Sequence, residues 1–152
     1  MCGMIGDHPD PFDLQRFVEA QDGAYERALA ELRSGSKESH WIWFVFPQIA
    51  GLGSSAMNAR FSIASLEEAV AYLEHPLLGP RLIECVDAVL GLEARSARQV
   101  FGPDDVKFRS CLTLFHRAAP EEHRFSDALA KYFSGELDEA TLQRLADTYG
   151  GS

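Results

Sequence analysis

Apolar residues recur at helical spacing along nearly the whole chain, and only one short run breaks that rule. Leu14, Phe17, Val18 and Gln21 lie on one stripe, and Tyr25, Ala28, Leu29 and Leu32 repeat it. This is the i, i+3, i+4, i+7 pattern of amphipathic helices. Asp22-Gly23 interrupts the stripe, so a helix pair is expected, with Asp22 capping its second member. Ser34-Gly35-Ser36 ends that member. Ser65-x-x-Glu68 has the form of a capping box before Leu66, Ala69, Val70 and Leu73, and His75-Pro76 closes the helix. Leu82, Cys85, Val86, Val89 and Leu90 mark another, beginning near Gly79-Pro80. Asp104 or Asp105 is expected to cap the next, which carries Phe108, Cys111, Leu112 and Phe115. Two more stripes, from Phe125 to Phe133 and from Leu142 to Tyr149, are separated by Gly135 and an Asp138 cap. The expected fold is all-α: a compact single domain of six to seven helices over 10–149, behind a flexible N-terminal arm at 1–9.

The exception is Ser39-His40-Trp41-Ile42-Trp43-Phe44-Val45-Phe46-Pro47-Gln48, which holds both tryptophans. Trp41–Phe46 is aromatic and β-branched enough for a strand, but one strand cannot form a sheet. It is expected to be an aromatic-rich irregular segment or a short helix. Singly, these aromatics suit a core plug. His40 and Gln48 bracket the plug, however, and polar groups beside an aromatic wall suit a flat ligand. Ile49-Ala50-Gly51-Leu52-Gly53-Ser54-Ser55 follows, a glycine-bearing loop running into a short helical stretch through Arg60. Its backbone N–H groups could face phosphate oxygens, although it matches no full nucleotide-binding fingerprint and a plain turn with a serine N-cap is the commoner reading of such a loop.

A second cluster is Lys107, Ser110, Cys111 and Leu114, which share a helix face. A lysine among small and apolar groups is either a partly desolvated amine with ligand or nucleophile chemistry, or a snorkelling cation paired with a carboxylate. Cys111 reads as a small core residue. The histidines show no metal-site spacing, so neither a metal nor a cofactor is expected.

Composition narrows the partners. With 14 Lys+Arg against 23 Asp+Glu the net charge is −9, which argues against general duplex DNA binding while leaving room for a local nucleotide pocket. No apolar run reaches the roughly 18 residues of a membrane helix. Three cysteines without a framework, and no secretory leader, make the cytoplasm the expected location.

Asp10-Pro11-Phe12, the Ser39–Gln48 block, Gly51-Leu52-Gly53-Ser54, Tyr72-Leu73-x-His75-Pro76-x-Leu78-Gly79-x-Arg81-Leu82 and Asp105-x-Lys107 with Thr113-Leu114-Phe115 occur together. In this the chain resembles the bacterial family known as domain of unknown function 1810, from about Asp10 to Leu145. Ser110-Cys111-Leu112 departs from the usual Ser-Ser-Met of that family. The resemblance implies a small, mainly α-helical domain and no established activity. The calpastatin label attached to some members does not suit a compact, aromatic-rich domain. A fainter similarity to the NADAR family of ADP-ribose-processing hydrolases implies a helix-borne glutamate, here Glu68, and a later lysine, here Lys107.

On that analogy the chain would be an N-glycosyl hydrolase of ADP-ribose chemistry. Glu68 would act as general acid/base, and Lys107 would hold an anion or attack an opened ribose aldehyde. Trp41 or Trp43 would stack the base, with His40, Gln48 and Ser110 beside it. Gly51, Gly53 and Ser54 would face phosphate, and Arg60 and Arg81 are further phosphate partners. Alternatively Glu68 is only half of the Ser65 cap, and the aromatic segment belongs to a non-enzymatic protein- or peptide-binding module. Gathering of these residues in one pocket favours the small molecule, and scattering favours the module.

Overall fold

The structure, a computed structural model, describes residues 10–53 and 55–148. The expected arm at 1–9, Ser54 and Tyr149 lie outside the described residues. The chain forms α1 (Gln15–Gln21), α2 (Tyr25–Ser34), α3 (Ile42–Val45), α4 (Ala56–Phe61) and α5 (Leu66–Glu74). There follow α6 (Leu78–Leu90), α7 (Ala97–Phe101), α8 (Asp105–Ala118), α9 (His123–Phe133) and α10 (Glu139–Thr148), with a 3-10 turn, Gly102–Asp104, between α7 and α8. The protein is an all-α single domain. The seven expected stripes are the longer helices, α4 is the expected short helical stretch through Arg60, and α7 is an addition of five residues. Trp41–Phe46 takes the short-helix alternative as α3.

Two expected caps are corrected. Asp22 ends α1 with an extended ψ of 120°, and Gly23 follows at φ 81°, so α2 starts behind Ala24 without a side-chain cap. Asp104 precedes α8 but accepts no bond from its backbone, because its carboxylate turns to two lysines instead. Ser65 does cap α5, accepting from the Glu68 N–H at 3.1 Å, and Asp138 accepts from the Thr141 N–H at 2.9 Å. At the start of α7, Ser96 and Gln99 form a reciprocal capping box.

Helix α8 is the hub, packed against α5, α9, α10 and α7, with Phe108 and every residue from Ser110 to Phe115 buried. Phe46, at the end of α3, meets Phe108 edge-on with ring centroids 4.9 Å apart, and Phe108 stacks on Phe101 at 4.3 Å. One isolated parallel bridge joins Ile49 to Ile63. The Ile63 N–H donates to the Gln48 carbonyl at 2.7 Å and the Ala50 N–H to the Ile63 carbonyl at 2.8 Å. These bonds close the loop containing α4 into a flap fixed at its base. No helix among the described residues is long and apolar enough to cross a membrane.

Candidate functional site

The aromatic segment is held by a carboxylate that sequence reasoning missed. Glu31 on α2 accepts from the Glu38 N–H at 2.8 Å, the Ser39 N–H at 2.9 Å and hydroxyl at 2.6 Å, and the Trp41 indole N–H at 2.8 Å. Burial pushes the Glu31 carboxyl up, but these donors outweigh it and hold it down at about 2. With its indole N–H so anchored, Trp41 is only 2% exposed and faces the core. It is therefore not placed to stack a ligand, a correction to the expected pair of candidates. Phe44, Val45 and Phe46 are buried beside it, whereas Trp43, on the other side of the short helix, is only partly buried.

Opposite Trp43 stands Lys107. Its ammonium lies 5.1 Å from the Trp43 ring centroid and 3.2 Å from Asp104 Oδ1. Asp104 Oδ2 lies 3.0 Å from the Lys37 ammonium, which in turn sits 5.1 Å from the Trp41 ring. Burial raises the Asp104 carboxyl, yet the hydrogen bonds and charges of the two lysines lower it below its ordinary value. Each indole thus faces one ammonium of a Lys37–Asp104–Lys107 chain. Lys107 is thus paired with a carboxylate, and that carboxylate is Asp104.

Trp43, Gln48, Lys107 and Ser110 line one pocket of about 480 Å³. Gly53 and Leu52 from the flap, Asn58 of α4 and Asp138 ahead of α10 complete much of its wall. Asn58 and Asp138 were not anticipated as site residues. Ser110 donates its hydroxyl to the Val106 carbonyl at 3.0 Å, leaving its oxygen lone pairs to the pocket. Asp138 Oδ2 accepts from both the N–H and the hydroxyl of Thr141.

Gln48 and Asn58 differ from the other buried polar side chains. Gln21, Glu68, Ser110, Thr113 and Thr141 each hydrogen-bond within the protein. Gln48 and Asn58, each 6% exposed, use only their backbone groups, and their carboxamides make no hydrogen bond among the described residues. Neither carboxamide is sealed in, since the one fully covered side-chain polar atom without a partner belongs to His116.

The remaining candidates lie elsewhere. Glu68 is buried beside a concavity on the other side of α4, lined also by Arg16 and Arg60. Both of its oxygens are engaged, one by the Ala64 N–H at 2.8 Å and one by Arg16 at 2.8 Å. Arg16 spends its guanidinium on the Phe12, Asp13, Arg60 and Ser62 carbonyls as well. Arg60 is exposed, with its guanidinium 5.3 Å from the Phe61 ring. Arg81 lines a third hollow, over the Tyr25 ring and bonded to Gln21 at 3.2 Å. His40 is exposed outside all three. Gly51 is no open phosphate cradle: at φ 95°, it lies against the Arg144 guanidinium, whose Nε donates to the Ala50 carbonyl. Among the described residues no group of three or more His, Cys, Asp or Glu side chains could hold a metal ion.

A family model described as "Protein of unknown function (DUF1810)" matches residues 11–145. The structure is similar to that of the conserved hypothetical protein Rv1873 from Mycobacterium tuberculosis, at 53% sequence identity and a TM-score of 0.89. That similarity covers 90% of this chain and 99% of the other. No curated protein matches the sequence.

Proposed function

We propose, for a chain that belongs to the DUF1810 family of proteins of unknown function, that the Trp43–Lys107 pocket binds a nucleotide-like small molecule. One observation carries the reading: an indole face, an ammonium 5.1 Å from it, two carboxamides and a hydroxyl converge on one hollow of about 480 Å³. That volume is within the range of small-molecule sites, and an aromatic wall with a few placed polar groups is their usual make-up. The ring of the ligand lies along Trp43 and its negative charge meets Lys107. Held by Asp104, that ammonium acts as a fixed cation rather than as a nucleophile.

Cleavage of an N-glycosidic bond of the ADP-ribose kind is the finer form of this proposal. It would draw its carboxylate from Asp138, since Glu68 is committed to Arg16 and Ala64. A specific feature favours the alternative of a peptide- or protein-binding module. Val106, on the pocket rim, is 58% exposed and more open than any other large hydrophobic among the described residues. The free buried thiols Cys85 and Cys111 suit the reducing, cytoplasmic setting proposed with either reading.

A thermal-shift screen with nucleotides, ADP-ribose included, tests the proposal, because a ligand that binds only the folded chain raises the melting temperature. The expected result is a rise for the wild type that Lys107→Met abolishes. No rise with any nucleotide overturns the reading and leaves the module.

A further inference from the structure

Burying a carboxamide without a hydrogen-bond partner costs free energy, and nearly all such groups in folded proteins find one. Gln48 and Asn58 find none inside the protein, and both, their carboxamides not fully covered, line the pocket of Trp43 and Lys107. They come from the two sides of the flap, whose base is closed by the Gln48–Ile63 and Ala50–Ile63 backbone bonds. Gln21, Glu68, Ser110, Thr113 and Thr141, the other buried polar side chains, satisfy themselves inside the protein. An amide presents a donor next to an acceptor, which is the complement of a ring edge carrying an acceptor next to a donor. The flat wall beside them, Trp43, accepts the face of such a ring. The charge of the pocket limits the rest of the ligand: one cation, Lys107, stands against the carboxylate of Asp138.

Resting on the small-molecule reading above, we propose that Gln48 and Asn58 recognise the edge of a planar heterocycle with adjacent donor and acceptor. Nucleobases and nicotinamide share that chemistry. The ligand carries little negative charge, a nucleoside or monophosphate, which goes with nucleotide-like binding and not with the ADP-ribose form of that reading.

The test is calorimetric titration of the whole chain with adenosine, guanosine, uridine and nicotinamide, and with ribose 5-phosphate as the ringless control. Wild type is compared with Gln48→Met and Asn58→Leu. At least one ring compound binds the wild type, and which one it is names the source. Its Kd rises about tenfold or more in each variant, as expected for a lost edge-on pair. The melting temperatures of the free variants equal or exceed the wild-type value, because no bond within the protein is lost. If none of the five compounds binds, the small-molecule reading itself fails and this inference with it. If ribose 5-phosphate binds as tightly as the rings, or the variants keep full affinity, the pocket stands and edge recognition is wrong. A fall in melting temperature in both variants would make the carboxamides structural and also overturn it.

Discussion

Glu31 shows how one side chain can order the segment on which the site depends. Four donors converge on its carboxylate, three of them from Ser39 and Trp41. Its carboxyl titrates at about 2 in the folded chain, against an ordinary value of 4.5. A depressed folded value stabilises the fold above the unfolded value, and that contribution is lost as pH falls through 4.5 toward 2. Glu31→Gln should cost about 1–3 kcal/mol at neutral pH. Its melting temperature should also fall less steeply than the wild type's between pH 4.5 and 2; equal slopes in calorimetry would remove Glu31 as the source. Trp43, Gln48 and Lys107 were legible in the sequence because their chemistry is conspicuous against apolar neighbours. Glu31 and Asn58 were not, since an acid on the polar side of α2 and an amide in a six-residue helix look like ordinary solvated groups. Their roles depend on where the chain crosses, which local spacing does not encode. Glu68 was read through an analogy and through a cap, and its oxygens follow neither closely: one takes the N–H of Ala64, one residue ahead of Ser65.

At the scale of elements, the α5–α6 corner is the tightest junction. His75 ends α5, and its Nδ1 accepts from the N–H groups of Leu77 at 3.1 Å and Leu78 at 3.2 Å, which starts α6. Gly79 then passes so close to the Leu73 carbonyl that a Cβ would collide with backbone. Gly79→Ala should therefore destabilise by about 3 kcal/mol, the upper part of the range for overpacking, in spite of alanine's better helix propensity. A denaturant midpoint equal to the wild type's would show that the corner can open. Asp138→Ala removes the cap of α10 and should cost about 1 kcal/mol by the same measurement. The long helices were readable because each repeats its apolar face over two turns or more. Helix α3 has four residues and α7 five, too short for periodicity to appear, so only the Ser96-x-x-Gln99 box could have announced α7.

Across the whole molecule, the pocket is built by parts distant in sequence: α3 with the flap, the first two turns of α8, and the start of α10 with its lead-in. That is why its residues could be nominated singly while their grouping, and the exclusion of Glu68, His40 and Arg81, could not. The core behind it is sealed. Burial pushes the Cys85 thiol up to about 12 and the Cys111 thiol well above its ordinary value. Neither should react with a thiol reagent at neutral pH until the chain unfolds, which mass analysis before and after denaturation would check. The two tryptophans, a single residue apart in sequence, fall on opposite sides of this boundary. Trp41 is fixed in the interior with its N–H on Glu31, whereas Trp43 stands in the pocket wall beside a charge. The molecule thus contains an optical gauge of its own occupancy. In a Trp41→Phe protein all indole fluorescence comes from Trp43, and whatever enters the pocket must shift its emission and shield it from acrylamide.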